Sequence, residues 1–453
     1  VAHAVEDLGG GVGLEPGEEG ASLGDVHRRQ HEGHELGEAR RRDPLLRYRA
    51  WLLAAGHCSE DELGAIERAN LSQLDEEAAR AEAAPDPDPA TALHGVFADD
   101  THVCPLSNAE FSRQMQKIAE ATEPVSLRDA INRTLLEEFR RNPHTFLWGQ
   151  DVASRDKGGV FNVTKGMLQE FGAGRVFNAP IAEDFILGTA NGFCRYRDDI
   201  WVVVEGAEFA DYFWPAMEQL VNTAHEHWRS NGQFAPNIIV RLASGGYIQG
   251  GIYHSQSIEG VLANIPGLRI VMPAFAEDAA GLLRCAFRTR GITIYLEPKY
   301  LYNHPRARTG FPTPELCVPI GRGRVRREGT ALSIVTYGNT VHHALQAAEA
   351  LAGEGVEVEV LDLRSILPFD HDAVAATVRK TGKALVLHEA NLTGGFGGEI
   401  AAWIGEHCFE YLDAPVRRCA SLDAPVGFAK ALEDAILVDV ENVRSAARAL
   451  AQY

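Results

Sequence analysis

From residue 123 to residue 453, short apolar runs alternate with stretches of helical period, and this alternation constrains the fold more than any other feature. The runs at 145–148, 200–204, 238–242, 269–272 and 292–296 are apolar at nearly every position rather than at every second one. Strands of that kind are buried on both faces, which is the signature of a parallel sheet covered by helices. Helical stretches separate them, most clearly at 215–229 and 276–288, and Ser126 caps an earlier helix carrying Leu127, Ile131, Leu135 and Phe139 four residues apart. A second series follows, with strands expected at 331–336, 356–361, 384–388 and 416–419. Its helices are expected at 342–352, 370–381, 396–407 and 440–450. The fold class is therefore α/β, as two successive domains at 123–308 and 324–453 joined by a Pro-, Gly- and Arg-rich linker at 309–323.

The first third of the chain is different. Residues 1–40 hold nine Gly and four His, no Phe, Tyr or Trp, and a net charge of −6. Such a stretch buries too little apolar surface to offset its ordering entropy, so it is expected to be disordered or a non-native start. The spacing of His3, His27, His31 and His34 fits no compact metal site. Asp43-Pro44 reads as an N-cap followed by a first-turn proline, and Ser59-Glu60-Asp61-Glu62 as a capping box. Residues 41–84 are thus expected as a helical hairpin. Pro85-Asp86-Pro87-Asp88-Pro89 then opens a linker over 85–122, because three prolines in five residues cannot continue a helix.

Composition removes several classes of function. The net charge of −20 is the wrong sign for a phosphate-backbone binder or an anionic membrane surface. No apolar run reaches the ~18 residues a membrane span needs, and no signal peptide is recognisable. The seven cysteines are odd in number, scattered and without a CxxC pair, which argues against a disulfide framework or a zinc site and for a cytoplasmic location.

Three segments are candidates for chemistry. Asn178-Ala179-Pro180-Ile181-Ala182-Glu183-Asp184 passes from a strand end into a helix that opens with two carboxylates. Acids there complement a helix dipole, but a glutamate held at a strand's carboxyl end also stands where open α/β sheets bind ligands. Glu205-Gly206-Ala207-Glu208-Phe209-Ala210-Asp211-Tyr212 follows the Val202-Val203-Val204 strand. It offers either core packing or an aromatic platform for a flat heterocycle. The Gly-rich run 244–251 ends a few residues before His254, a better setting for a functional imidazole than an isolated histidine has. No phosphate-binding GxxxxGK[ST] loop is present. Gly394-Gly395-Phe396-Gly397-Gly398 reads as a helix entry, and the pair His342-His343 as solvated.

Taken in order, Pro180-Ile181-Ala182-Glu183, Phe209-Ala210-Asp211-Tyr212, His254-Ser255-Gln256-Ser257, Leu296-Glu297-Pro298-Lys299 and Tyr337-Gly338 resemble the β-subunit of the thiamine-diphosphate-dependent decarboxylating component of 2-oxo acid dehydrogenase complexes. The resemblance implies a transketolase-like pyrimidine-binding domain followed by a transketolase C-terminal domain, with the N-terminal helical hairpin ahead of them. It implies that Glu183 hydrogen-bonds the aminopyrimidine nitrogen of thiamine diphosphate and exchanges a proton with it, that Tyr212 packs near that ring, and that His254 assists proton and acyl transfer to a lipoyl group. The resemblance also implies that Glu208 stands near the cofactor, where relatives resembling the branched-chain enzymes often carry Gln. The hairpin resembles the C-terminal helices of the α-subunit, as though this were the back part of an α/β fusion, truncated at its N-terminus. The Gly-Asp-Gly stretch that binds magnesium and the diphosphate is missing from the sequence. Mg2+ and that half-site are therefore expected from a missing or partner α part, an α-subunit or a second copy, within a homo- or hetero-oligomer that engages a lipoyl acyltransferase. The Phe209–Tyr212 block looks most like that of branched-chain enzymes, a likeness that implies 3-methyl-2-oxobutanoate as substrate and leaves pyruvate and acetoin open. The competing readings are a transketolase or deoxyxylulose-phosphate synthase relative, and a non-catalytic assembly subunit.

Overall fold

The computed structural model describes residues 41–98, 124–154 and 157–453, with isolated positions at 37, 110, 113, 114, 116 and 117. The expectations for 1–40, and for most of the linker beyond Ala98, lie outside the described residues. The chain forms two compact units divided after Thr91.

In the first unit, helix α1 (Pro44–Ala54) starts where Asp43 accepts the Leu45 N–H at 2.8 Å, with Pro44 in the first turn. Helix α2 (Glu60–Glu82) opens with the reciprocal Ser59/Glu62 capping box. Arg49 of α1 pairs with Glu60 and Glu67 of α2, so the two helices form a hairpin. Neither helix has a fully buried residue, and Leu45, Tyr48, Trp51, Ile66 and Leu74 are exposed.

The second unit runs from Ala92 to Tyr453. After the short strand β1 (Pro124–Val125) and helix α3 (Leu127–Arg141) come β2 (Thr145–Gly149), α4 (Met167–Phe171), β3 (Val176–Asn178), α5 (Glu183–Tyr196), β4 (Trp201–Ala207), α6 (Met217–Arg229) and β5 (Ile238–Ser244). Then follow α7 (Glu259–Leu262), β6 (Arg269–Val271), α8 (Ala276–Ala286) and β7 (Ile292–Pro298). Strand β8 (Thr309–Gly310) pairs back on β1, and the stretch around it is packed rather than free. Leu316, Val318 and Ile320 are buried, and the Val318 N–H donates to the Gly281 carbonyl at 3.0 Å. The second half adds β9 (Arg324–Arg327), β10 (Leu332–Thr336), α9 (Thr340–Ala352), β11 (Val358–Asp362), β12 (Ser365–Leu367), α10 (His371–Thr381), β13 (Ala384–Asn391), α11 (Gly397–His407), β14 (Arg417–Ser421), α12 (Lys430–Ile436) and α13 (Val440–Ala451).

These strands form a seven-stranded sheet of order β12-β6-β7-β5-β4-β2-β3 and a five-stranded sheet of order β14-β13-β10-β11-β9. Each is parallel apart from one antiparallel edge strand, β12 in the first and β9 in the second. The run Val202-Val203-Val204 shows why continuous apolar strands are needed. Val202 and Val204 pack with Ile238 and Val240 in one core, while Val203 and Ile239 belong to the core on the opposite face. Strand β12 belongs by sequence to the second half yet closes the edge of the first sheet. Beside it Arg364 pairs with Asp278 of α8 at 3.0 Å, tying the halves together. Three residues ahead of a proline are too short a pattern to announce such a strand.

The expectation that His342 and His343 are solvated is wrong. His342 donates from Nε2 to the Ala274 carbonyl at 2.8 Å and packs on Phe275. His343 lies edge-on to Tyr247 at 5.3 Å. The first turn of helix α9 therefore faces protein, at Ala274, Phe275 and Tyr247. Burial pushes both imidazoles down to about 4, and His388 with them. Each is therefore neutral in the fold, whereas the unfolded chain takes up its proton below about pH 6.5. The stability each contributes is present above that pH and is lost as pH falls toward 4. His343→Phe keeps the ring against Tyr247 and removes one such proton. Its unfolding free energy, followed by urea titration from pH 6.5 to 4.5, is expected to fall less steeply than wild type by about 1.4 kcal/mol per pH unit. Parallel slopes would contradict this.

Candidate active site

Four neighbouring strands, β3, β2, β4 and β5, deliver the candidate residues at their carboxyl ends, the edge at which parallel sheets hold ligands. After β3, Pro180 ends the extended chain and Glu183 becomes the first residue of α5. Its side chain is buried, with 7% of its surface exposed, and Gln150 beyond β2 donates from Nε2 to its Oε1 at 2.7 Å. A buried carboxylate is costly unless hydrogen-bonded. Gln150 meets that need at one oxygen, and among the described residues no donor reaches Oε2.

Beyond β4 and β5 lies an aromatic cluster. Phe209 stands edge-on to the His254 imidazole with ring centroids 4.3 Å apart, and Tyr212 does so at 5.6 Å. Glu208 lies within electrostatic reach of His254 and Asp151. Burial, reinforced by Asp151, raises its carboxyl above the ordinary value, while His254 pulls it down. The structure thus brings Glu208, Tyr212 and His254 together. Glu183 makes no hydrogen bond to any of the three among the described residues. An open cleft of about 790 Å3 runs alongside, lined by Tyr253, Ser255 and Gln256 on one side and by Asn391, Thr393 and Asp423 on the other.

Residues to which the sequence assigned no role of their own hold this arrangement. Asp211 is buried and accepts the N–H groups of Ser255 at 3.0 Å and Gln256 at 2.9 Å through Oδ1, fixing the backbone just after His254. Beneath the cluster, Arg241 of β5 donates to Glu297 of β7 at 2.7 Å and to Glu205 of β4 at 3.3 Å. Burial pushes the Glu205 carboxyl up to about 7 against the pull of Arg241. The signal for these residues was one charged residue in each of three adjacent, otherwise apolar strands. A buried charge of that kind is expected only with a partner.

The Gly-rich run is built for close approach rather than for phosphate. Gly245 has φ +87°, and a Cβ there would sit 2.4 Å from an oxygen of Glu389. Gly246 donates its N–H to the same carboxylate at 2.5 Å.

The fold is transketolase-like, as comparison with known proteins shows. The transketolase pyrimidine-binding domain model matches residues 123–305 and the transketolase C-terminal domain model residues 321–443. The chain is similar to the 2-oxoisovalerate dehydrogenase β-subunit of Bacillus subtilis, with 39% identity over 72% of this chain and 98% of that protein. It is 38% identical to its counterpart in Pseudomonas aeruginosa (68% and 89% covered). It is 34% identical to the mitochondrial pyruvate dehydrogenase E1 β-subunit of Dictyostelium discoideum (73% and 92% covered). A solved structure described as a split-gene transketolase, an inactive β4 tetramer, shares the fold with a TM-score of 0.58 at 20% identity, covering 72% of this chain and 99% of that one. The chain belongs to the family of β-subunits of thiamine-diphosphate-dependent 2-oxo acid dehydrogenases. Among the described residues no helix is long and apolar enough to cross a membrane.

Proposed function

We propose that this chain is the β-half of a cytoplasmic 2-oxo acid dehydrogenase component that decarboxylates a branched-chain 2-oxo acid and passes the acyl group to a lipoyl group on an acyltransferase. The observation that carries the reading is Glu183, a buried carboxylate at a strand mouth with one oxygen held by Gln150 and one left for a ring nitrogen. These residues fit the pyrimidine end of thiamine diphosphate. Glu183 would hold and exchange the proton of the ring nitrogen, and Tyr212, edge-on to Phe209, would pack near that ring. When bound, the cofactor supplies the carbon nucleophile that attacks the keto group. His254, held edge-on by Phe209 and Tyr212, would stand ready to move a proton during acyl transfer. Glu208 would face the same space with an acid where branched-chain relatives often carry Gln. An α partner would provide magnesium, the diphosphate site and much of the substrate pocket in a shared oligomer. The branched-chain preference is supported by the two 2-oxoisovalerate dehydrogenase relatives.

The test is calorimetric titration of thiamine diphosphate with Mg2+ into this chain, alone and mixed with a candidate α-subunit, followed by decarboxylation assays. Binding and turnover are expected only in the mixture, with kcat/KM for 3-methyl-2-oxobutanoate at least tenfold above that for pyruvate. A pyruvate preference would overturn the substrate assignment, and no binding in the mixture would overturn the function.

A further inference from the structure

The loop that carries His254 is anchored by three carboxylates that the proposed chemistry does not use. Asp211 accepts the N–H groups of Ser255 and Gln256. Glu389, from β13, accepts the N–H of Gly246. Glu433, from α12, accepts the N–H of Gln249 at 2.9 Å. Among them is the ammonium of Lys299, the residue directly after β7. Lys299 is buried, with 4% of its surface exposed, and its Nζ has no hydrogen-bond partner among the described residues. Its charge is attracted by Asp211, Glu389 and Glu433. It also lies 5.6 Å from the ring centroid of Phe209, the ring that abuts the His254 imidazole.

We propose that Lys299 is a positioning residue for His254: its buried ammonium balances the charge of Asp211 and Glu389, and these carboxylates hold the loop backbone on both sides of the imidazole. The role assigned to His254 rests on the function proposed above. An ionised carboxylate is the stronger acceptor of an N–H, and burial opposes that ionisation. Glu389 shows the opposition directly. Burial and the neighbouring Glu259 push it up to about 7, against the pull of Lys299, the Gly246 N–H and Asn339. Burial in turn brings Lys299 down to about 8, against the pull of its three carboxylates. Tyr247 and Tyr337 border the same space as phenols, with burial holding both far above their ordinary values. Among the described residues Lys299 is a cation that the charge balance here depends on, and neutralising it leaves acids facing one another.

The experiment compares K299M, K299R and K299M/E389Q with wild type. Amide hydrogen exchange over residues 244–257 is read in this chain, and steady-state kinetics in the complex with its α partner. In K299M, exchange over 244–257 is expected to quicken at least tenfold at pH 7.5, with strands β4 and β7 unchanged. kcat is expected to fall at least tenfold while KM for the 2-oxo acid stays within twofold. K299R, which keeps the charge, is expected to recover most of both. The double variant removes a cation and an anion together, so it stays testable if K299M does not fold. Its loop is expected to exchange as fast as that of K299M. Wild-type protection in either Met variant overturns the proposal, as does fast exchange with unaltered kcat, or an Arg variant no better than Met. If the wild-type complex shows no turnover, the function proposed above fails, while the exchange result still decides whether Lys299 holds the loop.

Discussion

Glu183→Gln is expected to lower kcat of the assembled enzyme by about 10²- to 10⁴-fold, the range that a positioned proton-transfer group contributes. The substitution is close to isosteric and leaves an amide oxygen facing Gln150, whose Nε2 donates to Glu183 at 2.7 Å. The fold is therefore expected to stay intact, with thermal unfolding within a degree or two of wild type. What the amide cannot do is carry a proton to and from a ring nitrogen. Thiamine diphosphate affinity is expected to weaken as well, since a neutral amide replaces a charge-assisted hydrogen bond. Stopped-flow decarboxylation with calorimetry of the cofactor separates the two effects. Activity above a tenth of wild type would remove Glu183 from the proton-transfer role.

Arg241→Met is expected to cost about 3–5 kcal/mol of stability, the loss typical of removing one partner from a buried ion pair. Arg241 is 2% exposed and balances Glu297, 1% exposed, together with Glu205. Methionine fills much of the volume but leaves two acids facing each other inside the sheet. The sign of the pH response identifies the cause. Glu205, already pushed up to about 7 by burial with Arg241 in place, loses that pull in the variant and rises further, so the fold binds a proton that the unfolded chain releases. The deficit is then expected to shrink as pH falls from 8 toward 6 and to widen as it rises. Adding Glu297→Gln should recover part of the loss at pH 8. Urea unfolding across that range checks both expectations, and a pH-independent deficit would point to lost packing instead.

Much of the candidate site was legible because its residues sit where pattern and chemistry coincide. Glu183 follows a proline at a helix start, and His254 follows a Gly-rich loop after a strand. The regular strands and helices were legible for the same reason. A parallel strand buried on both faces must be apolar throughout, as Val202-Val203-Val204 is. His342 and His343 were misjudged because a polar pair at a helix start looks the same whether that turn meets water or Phe275 and Tyr247.

What the sequence alone determined was the order of elements, the two α/β halves, the capped hairpin before them and the family they resemble. Those properties follow from local periodicity and from motifs a few residues long. Only the tertiary structure decided that β12 crosses to the first sheet, that Arg241 joins Glu205 to Glu297, and that Asp211, Glu389 and Lys299 meet around the loop of His254. Asp211, Lys299 and Glu389 are separated by 88 and 90 residues along the chain. Partners that distant leave no periodic trace, and a buried charge finds its counterion only once the sheets have packed.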